Sequence, residues 1–273
     1  MNFNAKELKK LYIPAKMSHK GQNGKLTVIG GSGLFHGASL WALKVASRIV
    51  DMVFYSSTVE NNELTQKLKG EFYDFIAVPR GKVEEYISQS DAVLIGPGLA
   101  REEGREKEEE STKQLTERLL KKFPTKKWVI DAGSLQEMEA EWLKELNGNV
   151  VITPHHKEFK DLFHDDNVEE IAKKYNCVVL LKGPTDVVCS LLECVEVIGG
   201  NEGMTKGGTG DVLAGLVAAL SCKNDLFLAA AAGSFINKKA GDSLYKKVGP
   251  YFNASDLADE IPKTMKEMLP FGY

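Results

Sequence analysis

The chain has 273 residues, of which 43% are hydrophobic and 27% are charged, and its formal net charge is −3. This composition is ordinary for a globular protein with a sizeable core. The negative net charge gives no indication of a basic surface that would bind nucleic acid. No apolar run approaches the roughly 20 residues needed to span a bilayer, so we expect no membrane association. The N-terminal segment is polar and lacks a signal-peptide core, which predicts a cytoplasmic protein.

Short β-rich runs alternate with helical patterns along most of the chain. The predicted strands are residues 26–30, 52–56, 75–78, 92–96, 128–131, 150–153 and 177–182. The predicted helices between them are residues 38–50, 82–89, 102–122, 135–146 and 156–164. Strands that alternate with helices indicate βαβ units, and continuously apolar strands are typical of a parallel sheet covered on both faces.

The remaining segments predict an antiparallel edge and a helical C-terminal third. Residues 186–190 and 194–198 are too close in sequence for a crossover, so they predict a hairpin at the edge of the sheet. Helices are predicted at 211–220, 226–245 and 254–268. The highly charged stretch 101–110 indicates a solvated helix face. No linker or repeat interrupts the pattern, so we predict one α/β domain over residues 1–273.

The four cysteines are Cys177, Cys189, Cys194 and Cys222, and no pair of them has C-x-x-C spacing. That spacing is typical of zinc sites, so a zinc site is not expected. Small buried thiols are common in cytosolic cores, and we therefore expect all four cysteines to be reduced.

The segment GMTKGGTGDVLAG at 203–215 carries the strongest functional pattern of the chain. Gly207, Gly208 and Gly210, with Thr209 among them, precede an apolar helix, so successive N–H groups can face one concavity at a helix start. We predict an anion hole from these four residues. Asp211 at its rim is then a candidate general base for phosphoryl transfer to a substrate hydroxyl. The alternative for Asp211 is a simple helix cap.

Other motifs follow predicted strands, whose carboxyl ends bind ligands in open parallel sheets. The run GSGLFHG at 31–37 is a variant of the dinucleotide fingerprint with His36 in the third glycine position, and it fits either a tight turn or a substrate loop. His155 and Glu158 share one face of a helix start, where Glu158 could hold a magnesium-bound water. Lys182 could meet nucleotide phosphates, or extend to solvent.

In this order the motifs resemble those of the ADP/ATP-dependent NAD(P)H-hydrate dehydratases of the ribokinase-like superfamily. The matching segments are HKG at 19–21, GKLTVIGGS at 24–32, GA at 37–38, GPGL at 96–99, VIDA at 129–132, TPH at 153–155 with EF at 158–159, KG at 182–183, and 203–215. The resemblance extends from about residue 18 to residue 262. It implies a ribokinase-like three-layer α/β/α sandwich with a mainly parallel central sheet and a small antiparallel edge.

The resemblance also implies a reaction. The hydroxyl of the S form of hydrated NADH or NADPH is phosphorylated from ADP or ATP with Mg²⁺, and phosphate is then eliminated to restore the cofactor. Asp211 would contact the hydrate and act as base, and Glu158 would lie near Mg²⁺. The hydrate pocket would contain Ala38, Gly98 and His155, and the adenine nucleotide would contact Lys182, Gly183, Pro184, Thr185, Asp186 and Gly210.

The family further suggests a homotetramer and an NAD(P)H-hydrate epimerase as functional partner. That partner is often fused at the N-terminus, and about 25 residues before the first strand cannot hold it, so we expect dehydration alone. His156, Lys157 and Lys206 depart from the family pattern, and Lys206 could meet a phosphate or point to solvent. Two alternatives remain open: a kinase of a small vitamin-precursor alcohol or sugar, and a non-catalytic nucleotide-binding or sensor protein.

Overall fold

The computed structural model describes residues 1–67, 72–101 and 110–269, and within these ranges nine strands form one sheet. The order across the sheet is β3-β2-β1-β4-β5-β6-β7-β8-β9. The strands are β1 (Lys25–Ile29), β2 (Met52–Ser56), β3 (Ile76–Val78), β4 (Ala92–Ile95), β5 (Lys127–Ile130), β6 (Val150–Ile152), β7 (Val178–Leu181), β8 (Asp186–Cys189) and β9 (Cys194–Val197). Strands β1 to β7 pair in parallel, and β7-β8 and β8-β9 pair antiparallel, which confirms the predicted sheet with its antiparallel edge.

Both faces of the sheet are buried because helices cover each of them. Along β4, Val93 and Ile95 enter one hydrophobic core and Leu94 enters the other, as the alternation of a strand requires. The first face carries α3 (Val83–Gln89), α4 (Thr112–Lys122), α5 (Ala132–Glu137), α6 (Trp142–Glu145), α7 (His156–Phe163) and α8 (Val168–Tyr175). The second carries α1 (His36–Ala46), α9 (Thr209–Ser221) and α10 (Leu226–Val248). Helix α11 (Ala254–Met268) packs against these three helices, and α2 (Val59–Lys67) packs beside β3.

The helix boundaries differ from the sequence prediction in a few places. The helix predicted at 135–146 is two short helices, α5 and α6, because Met138 adopts an extended conformation that ends α5. Helices α2 and α8 were not predicted, and α8 is closed by the Asn167 cap and by Asn176 in the left-handed region. Helix α4 begins at Thr112 behind the capping box of Ser111, and residues 102–109 of the predicted charged helix face lie outside the described residues.

The prediction of four reduced cysteines was wrong for two of them. Cys189 and Cys194 form a disulfide across the β8–β9 hairpin. They are directly opposed in the antiparallel register, and such partners project from the same face of the sheet. Cys177 and Cys222 are free and buried, as expected. Within the described ranges, no helix is both long and apolar enough to cross a bilayer.

Helices α1 and α9 meet at Gly215, where the absence of a side chain permits their close approach. A Cβ added at Gly215 would lie 2.5 Å from the carbonyl oxygen of Ala42 and 2.6 Å from its Cα. Both neighbouring atoms belong to the backbone of α1 and cannot turn aside. Because α9 begins at the predicted anion hole, this contact also sets the position of the candidate site.

We expect Gly215→Ala to lower the free energy of unfolding by about 1–3 kcal/mol, the usual effect of overpacking a core. Chemical denaturation of the purified protein measures it. Gly81→Ala is the matched control, since a Cβ at Gly81 would meet nothing within 4 Å. Equal stability of the two variants would contradict the close α1–α9 contact.

Candidate functional site

The candidate site lies at the carboxyl edge of the sheet, where five adjacent strands end. The segments that follow β1, β4, β5, β6 and β7 are brought together there by the parallel pairing. The Gly31 N–H donates to the Pro97 carbonyl oxygen at 2.8 Å, and the Lys182 N–H donates to the Pro154 carbonyl oxygen at 2.8 Å. Strand ends that are distant in sequence are thereby joined into one surface.

The glycine-rich turn before α9 has the geometry of an anion hole. Gly208 begins the helix with φ of 94°, a backbone conformation that favours glycine. A Cβ there would also lie 2.5 Å from the Trp41 ring, so the packing favours glycine as well. The Thr209 hydroxyl fixes the turn by donating to the carbonyl oxygens of Met204 (2.6 Å) and Lys206 (2.9 Å). Within the described part of the chain, no acceptor pairs with the N–H groups of Gly207, Gly208 and Gly210. These groups lie at a helix N-terminus, which favours an anion.

Asp211 lies in the first turn of α9, and its surroundings disfavour the charged carboxylate. Burial raises its pKa, the negative charges of Asp131 and Glu158 add to that effect, and the ammonium of Lys182 only partly opposes it. The resulting pKa is about 7. A carboxylate with a pKa close to neutrality is well matched to accept a proton from a substrate.

Lys182 joins two strand ends at the floor of the site. Its ammonium donates to Asp131 Oδ1 at 2.9 Å, and the Thr153 hydroxyl donates to the same oxygen at 2.9 Å. Burial alone would lower the pKa of Lys182, but the carboxylates of Asp131, Glu158 and Asp211 outweigh it and raise the pKa. Lys182 therefore remains a positive charge, and its Nζ lies 3.5 Å from the Cβ position of Gly210.

Glu158 and His155 form a capping box at the start of α7. The Glu158 N–H donates to His155 Nδ1, and the His155 N–H donates to one carboxylate oxygen of Glu158 at 2.9 Å. The other oxygen accepts from Gln136 Nε2 at 2.7 Å. Glu158 is thus held in one orientation and is almost fully buried, while the His155 side chain is half exposed.

The donors around Glu158 fit Mg²⁺ in chemical type. Asp131, Glu158 and Asp211 are oxygen donors, which hard divalent cations prefer, and the ammonium of Lys182 interacts electrostatically with all three. Within the described residues, no group of three or more His, Cys, Asp or Glu side chains forms a ready metal site.

Ala38 and Gly98 lie together at the other end of the site. Gly98 has φ of 72°, and a Cβ there would lie 2.2 Å from the Phe35 carbonyl oxygen and 3.2 Å from the Ala38 Cβ. Gly31 Cα is also within 3.2 Å of that position. The sequence prediction placed Ala38 and Gly98 in one pocket, and the structure brings them into contact.

A cavity of about 730 Å³ opens beside the anion hole. Its lining includes His155, Lys182, Gly183, Pro184, Asp186 and Gly210 from the predicted site. Thr185 is exposed and does not line it. The Asp186 carboxylate is directed inward, where it accepts from the Gly183 N–H (2.8 Å) and the Ser234 hydroxyl (2.7 Å).

Residues that the sequence analysis did not single out also line this cavity. Asn237 and Lys238 of α10 are 4% and 5% exposed, and Asn201 lies in the loop between β9 and α9. Asn237 Oδ1 and Asn201 Nδ2 are buried without a hydrogen-bond partner in the described structure. The available signal was the spacing of Ser234, Asn237 and Lys238, which puts three polar residues on one face of an alanine-rich helix.

The three departures from the family pattern lie at the surface. Lys206 donates to the Pro250 carbonyl oxygen and lies over the Phe252 ring, so its ammonium is engaged away from the anion hole. Lys157 pairs with Asp161 at 2.6 Å on the exposed side of α7. The His156 ring is exposed and lies next to Gly183, with its Nε2 3.2 Å from the Cβ position of that glycine.

A family model described as NAD(P)H-hydrate dehydratase matches residues 26–263, which include every predicted site residue. The chain belongs to this family. The ADP-dependent (S)-NAD(P)H-hydrate dehydratase of Nitrosopumilus maritimus is 36% identical over 284 residues, 95% of each chain. The bifunctional NAD(P)H-hydrate repair enzyme Nnr of Methanocaldococcus jannaschii is 36% identical over 268 residues, 95% of this chain and 52% of that enzyme. The chain therefore spans about half the length of that relative.

The structural comparison concerns the fold. The ADP/ATP-dependent NAD(P)H-hydrate dehydratase of Bacillus subtilis, co-crystallized with ATP/Mg²⁺, gives a TM-score of 0.79 at 20% identity and covers 98% of each chain. This likeness confirms the ribokinase-like three-layer α/β/α fold with its mainly parallel sheet.

We expect Asp211→Asn to stabilise the dehydratase fold at pH 8 by about 1–3 kcal/mol. The pKa of Asp211 rises from 3.8 to about 7 on folding, so above pH 7 the fold bears the cost of burying a charge that asparagine lacks. Below pH 3.8 the carboxyl is mostly protonated in both states, so the difference becomes small.

Urea denaturation at pH 8 and at pH 3.5 measures the Asp211→Asn effect. Asp161→Asn is the control, because Asp161 belongs to an exposed ion pair with Lys157, and such pairs contribute about 0–1 kcal/mol. A destabilised Asp211→Asn variant at pH 8 would contradict the unfavourable burial of this carboxylate.

Proposed function

We propose that the chain dehydrates the S form of NADH or NADPH hydrate back to the reduced cofactor, with ADP, or ATP, as phosphoryl donor. The observation that supports it most directly is Asp211, a carboxylate with a pKa of about 7 at the rim of three unpaired backbone N–H groups. A proton acceptor next to an anion hole is what phosphoryl transfer to a hydroxyl requires. The family match and the named activity of the Nitrosopumilus maritimus relative support the substrate class.

The proposed reaction has two steps. Asp211 accepts the proton of the hydrate hydroxyl while the hydroxyl oxygen attacks the terminal phosphorus of ADP, and the bond from that phosphorus to AMP breaks. The phosphorylated hydrate then loses phosphate and a proton, which restores the double bond. The net products from hydrate and ADP are NADH or NADPH, AMP and inorganic phosphate. Phosphorylation matters because phosphate leaves readily and hydroxide does not.

Each group at the site has a separate role in the proposed reaction. The N–H groups of Gly207, Gly208 and Gly210 hold the oxygens of the transferring phosphoryl group, and Lys182 adds a fixed positive charge beside Gly210. A hydrated Mg²⁺ next to Glu158 would supply charge neutralisation for the nucleotide phosphates, and the ATP/Mg²⁺ complex of the Bacillus subtilis enzyme supports this choice of ion. The 730 Å³ cavity would take the adenosine portion, lined by Gly183, Pro184 and Asp186.

The hydrate would bind between the glycine-rich ends of β1 and β4. Backbone atoms of Gly31, Phe35 and Gly98 approach one another there, and Ala38 adds a small side chain. A dinucleotide that binds against backbone needs such a surface, and His155 lines the neighbouring nucleotide cavity. The homotetramer and the epimerase partner stay predictions, and the bifunctional name of the Methanocaldococcus jannaschii relative supports a second repair activity alongside this one.

The deciding experiment supplies hydrated NADH with ADP or ATP and follows the absorbance of NADH together with release of AMP or ADP and phosphate. Recovery of absorbance with one phosphate released per NADH supports the dehydratase. A phosphorylated product that accumulates from an alcohol or sugar, with no recovery of NADH, would identify a kinase instead. Nucleotide binding with no turnover of any of these substrates would favour a sensor.

We expect Asp211→Asn to reduce turnover about 10²- to 10⁴-fold while ADP binding persists, because a general base is lost and the anion hole is not.

In the parent enzyme, kcat/KM for the hydrate should fall as the pH drops below about 7, since the protonated Asp211 carboxyl cannot accept the hydroxyl proton. Steady-state kinetics across pH 5–9, with calorimetry for ADP, measures both. Turnover within a few-fold of the parent would remove Asp211 from the mechanism.

We expect Ala38→Leu to lower kcat/KM for the hydrate by about 10- to 200-fold, the range for extra methylene groups in a fitted pocket. The Cβ of residue 38 faces Gly98, so a longer side chain fills the space between the two loops. The KM for ADP should stay at the parental value and serves as the internal control. A selective rise in the KM for ADP would place the hydrate elsewhere.

A further inference from the structure

Helix α10 carries a polar face that is unusual for its surroundings. Most of its buried residues are small or apolar, including four consecutive alanines at 229–232, but Ser234, Asn237 and Lys238 are polar and buried. Their spacing of three and four places them on one side of the helix. A lysine that is 5% exposed needs partners for its charge, because water cannot supply them.

Lys238 finds these partners in the loop that follows β7. Its Nζ donates to the carbonyl oxygens of Gly183 and Pro184, each at 3.0 Å. The same atom lies 3.2 Å from Asp186 Oδ1. An ammonium has three donor hydrogens, so these three contacts use its full capacity. A nucleotide phosphate could bind this ammonium only by displacing the loop.

The loop at residues 182–186 depends on these contacts for its shape. It links β7 to β8 in a few residues and presents Gly183 and Pro184 to the nucleotide cavity. From inside the loop, Asp186 accepts from the Gly183 N–H, and its second oxygen accepts from Ser234 of α10. Lys238 thus binds two carbonyl oxygens of the loop, and Asp186 binds the Gly183 N–H. Together the two side chains connect the loop to α10.

We propose that Lys238 is a positioning residue that holds the 182–186 loop in the conformation that binds the nucleotide. This inference rests on the proposed function, in which that loop contacts the adenine nucleotide. Stability alone does not require the arrangement, because a buried ion pair is often no more stabilising than hydrophobic residues of the same volume. Two of the three contacts of Lys238 go to loop carbonyls, so its effect is on backbone position.

The test compares Lys238→Met, the double variant Lys238→Met with Asp186→Asn, and the control Lys239→Met. The double variant removes both buried charges, so it guards against a single variant that fails to fold with Asp186 unpaired. Asparagine at 186 keeps an oxygen for the Gly183 N–H. Lys239 is the next residue of α10, but it is 40% exposed, pairs with Asp242 and does not line the nucleotide cavity.

We expect the double variant to raise the Kd and the KM for ADP roughly 10- to 100-fold, as loss of charge-assisted hydrogen bonds predicts, with kcat within about threefold of the parent. Lys239→Met should behave as the parent. The affinity for AMP should fall by the same factor as that for ADP, because the loop and not the terminal phosphate is affected.

Two results would overturn the inference: parental ADP affinity in a folded double variant, or a loss confined to ADP with AMP unaffected, which would indicate a direct phosphate contact. A parent enzyme that binds ADP without dehydrating the hydrate would refute the proposed reaction and leave the AMP and ADP affinities to decide the role of Lys238. A parent that binds neither nucleotide would overturn both.

Discussion

The ion pair between Lys182 and Asp131 is the constraint on which the chemistry of the site depends. It joins the ends of β7 and β5 across β6, and Thr153 at the end of β6 donates to the same carboxylate oxygen. Because Lys182 is held by Asp131, it neutralises Asp211 only in part, and burial then raises the pKa of Asp211 to about 7. A structural contact within the sheet edge thus leaves the candidate base ready to accept a proton.

Much of the fold could be predicted from the sequence because parallel strands buried on both faces have a simple pattern. Runs such as Val93 to Ile95 are apolar without interruption, and helices separate them at regular intervals. Helix α2 was missed because its nine residues of mixed polarity carry little periodic signal. Helix α8 was missed although its buried residues have the i, i+3, i+4, i+7 spacing of an amphipathic helix: Val168, Ile171, Ala172 and Tyr175. The Cys189–Cys194 disulfide depends on the strand register, which the residue spacing alone did not settle.

Some residues of the candidate site could also be predicted from the sequence around them, and others could not. Asp211, Gly98 and Lys182 stand beside glycines or at strand ends, where the sequence itself marks a turn, and the structure brings them to one edge. Lys238 lies in the middle of a long helix, and its partners are backbone carbonyls more than 50 residues away. The spacing of Ser234, Asn237 and Lys238 indicates a polar face on that helix, but the fold determines which groups this face contacts.

In the proposed function, the two ends of the site would hold their ligands by different physical means. At the nucleotide end, fixed charges act: Lys182 faces the anion hole, and Lys238 with Asp186 holds the loop that lines the cavity. At the opposite end, the backbones of Gly31, Phe35 and Gly98 approach closely, so the shape of this surface would contribute to selecting the hydrate. Asp211 lies between them on α9, whose position follows from the contact of Gly215 with α1. In the proposed reaction, charge would therefore govern binding of the donor and packing would govern binding of the acceptor, and α9 would bring both to the Asp211 carboxylate.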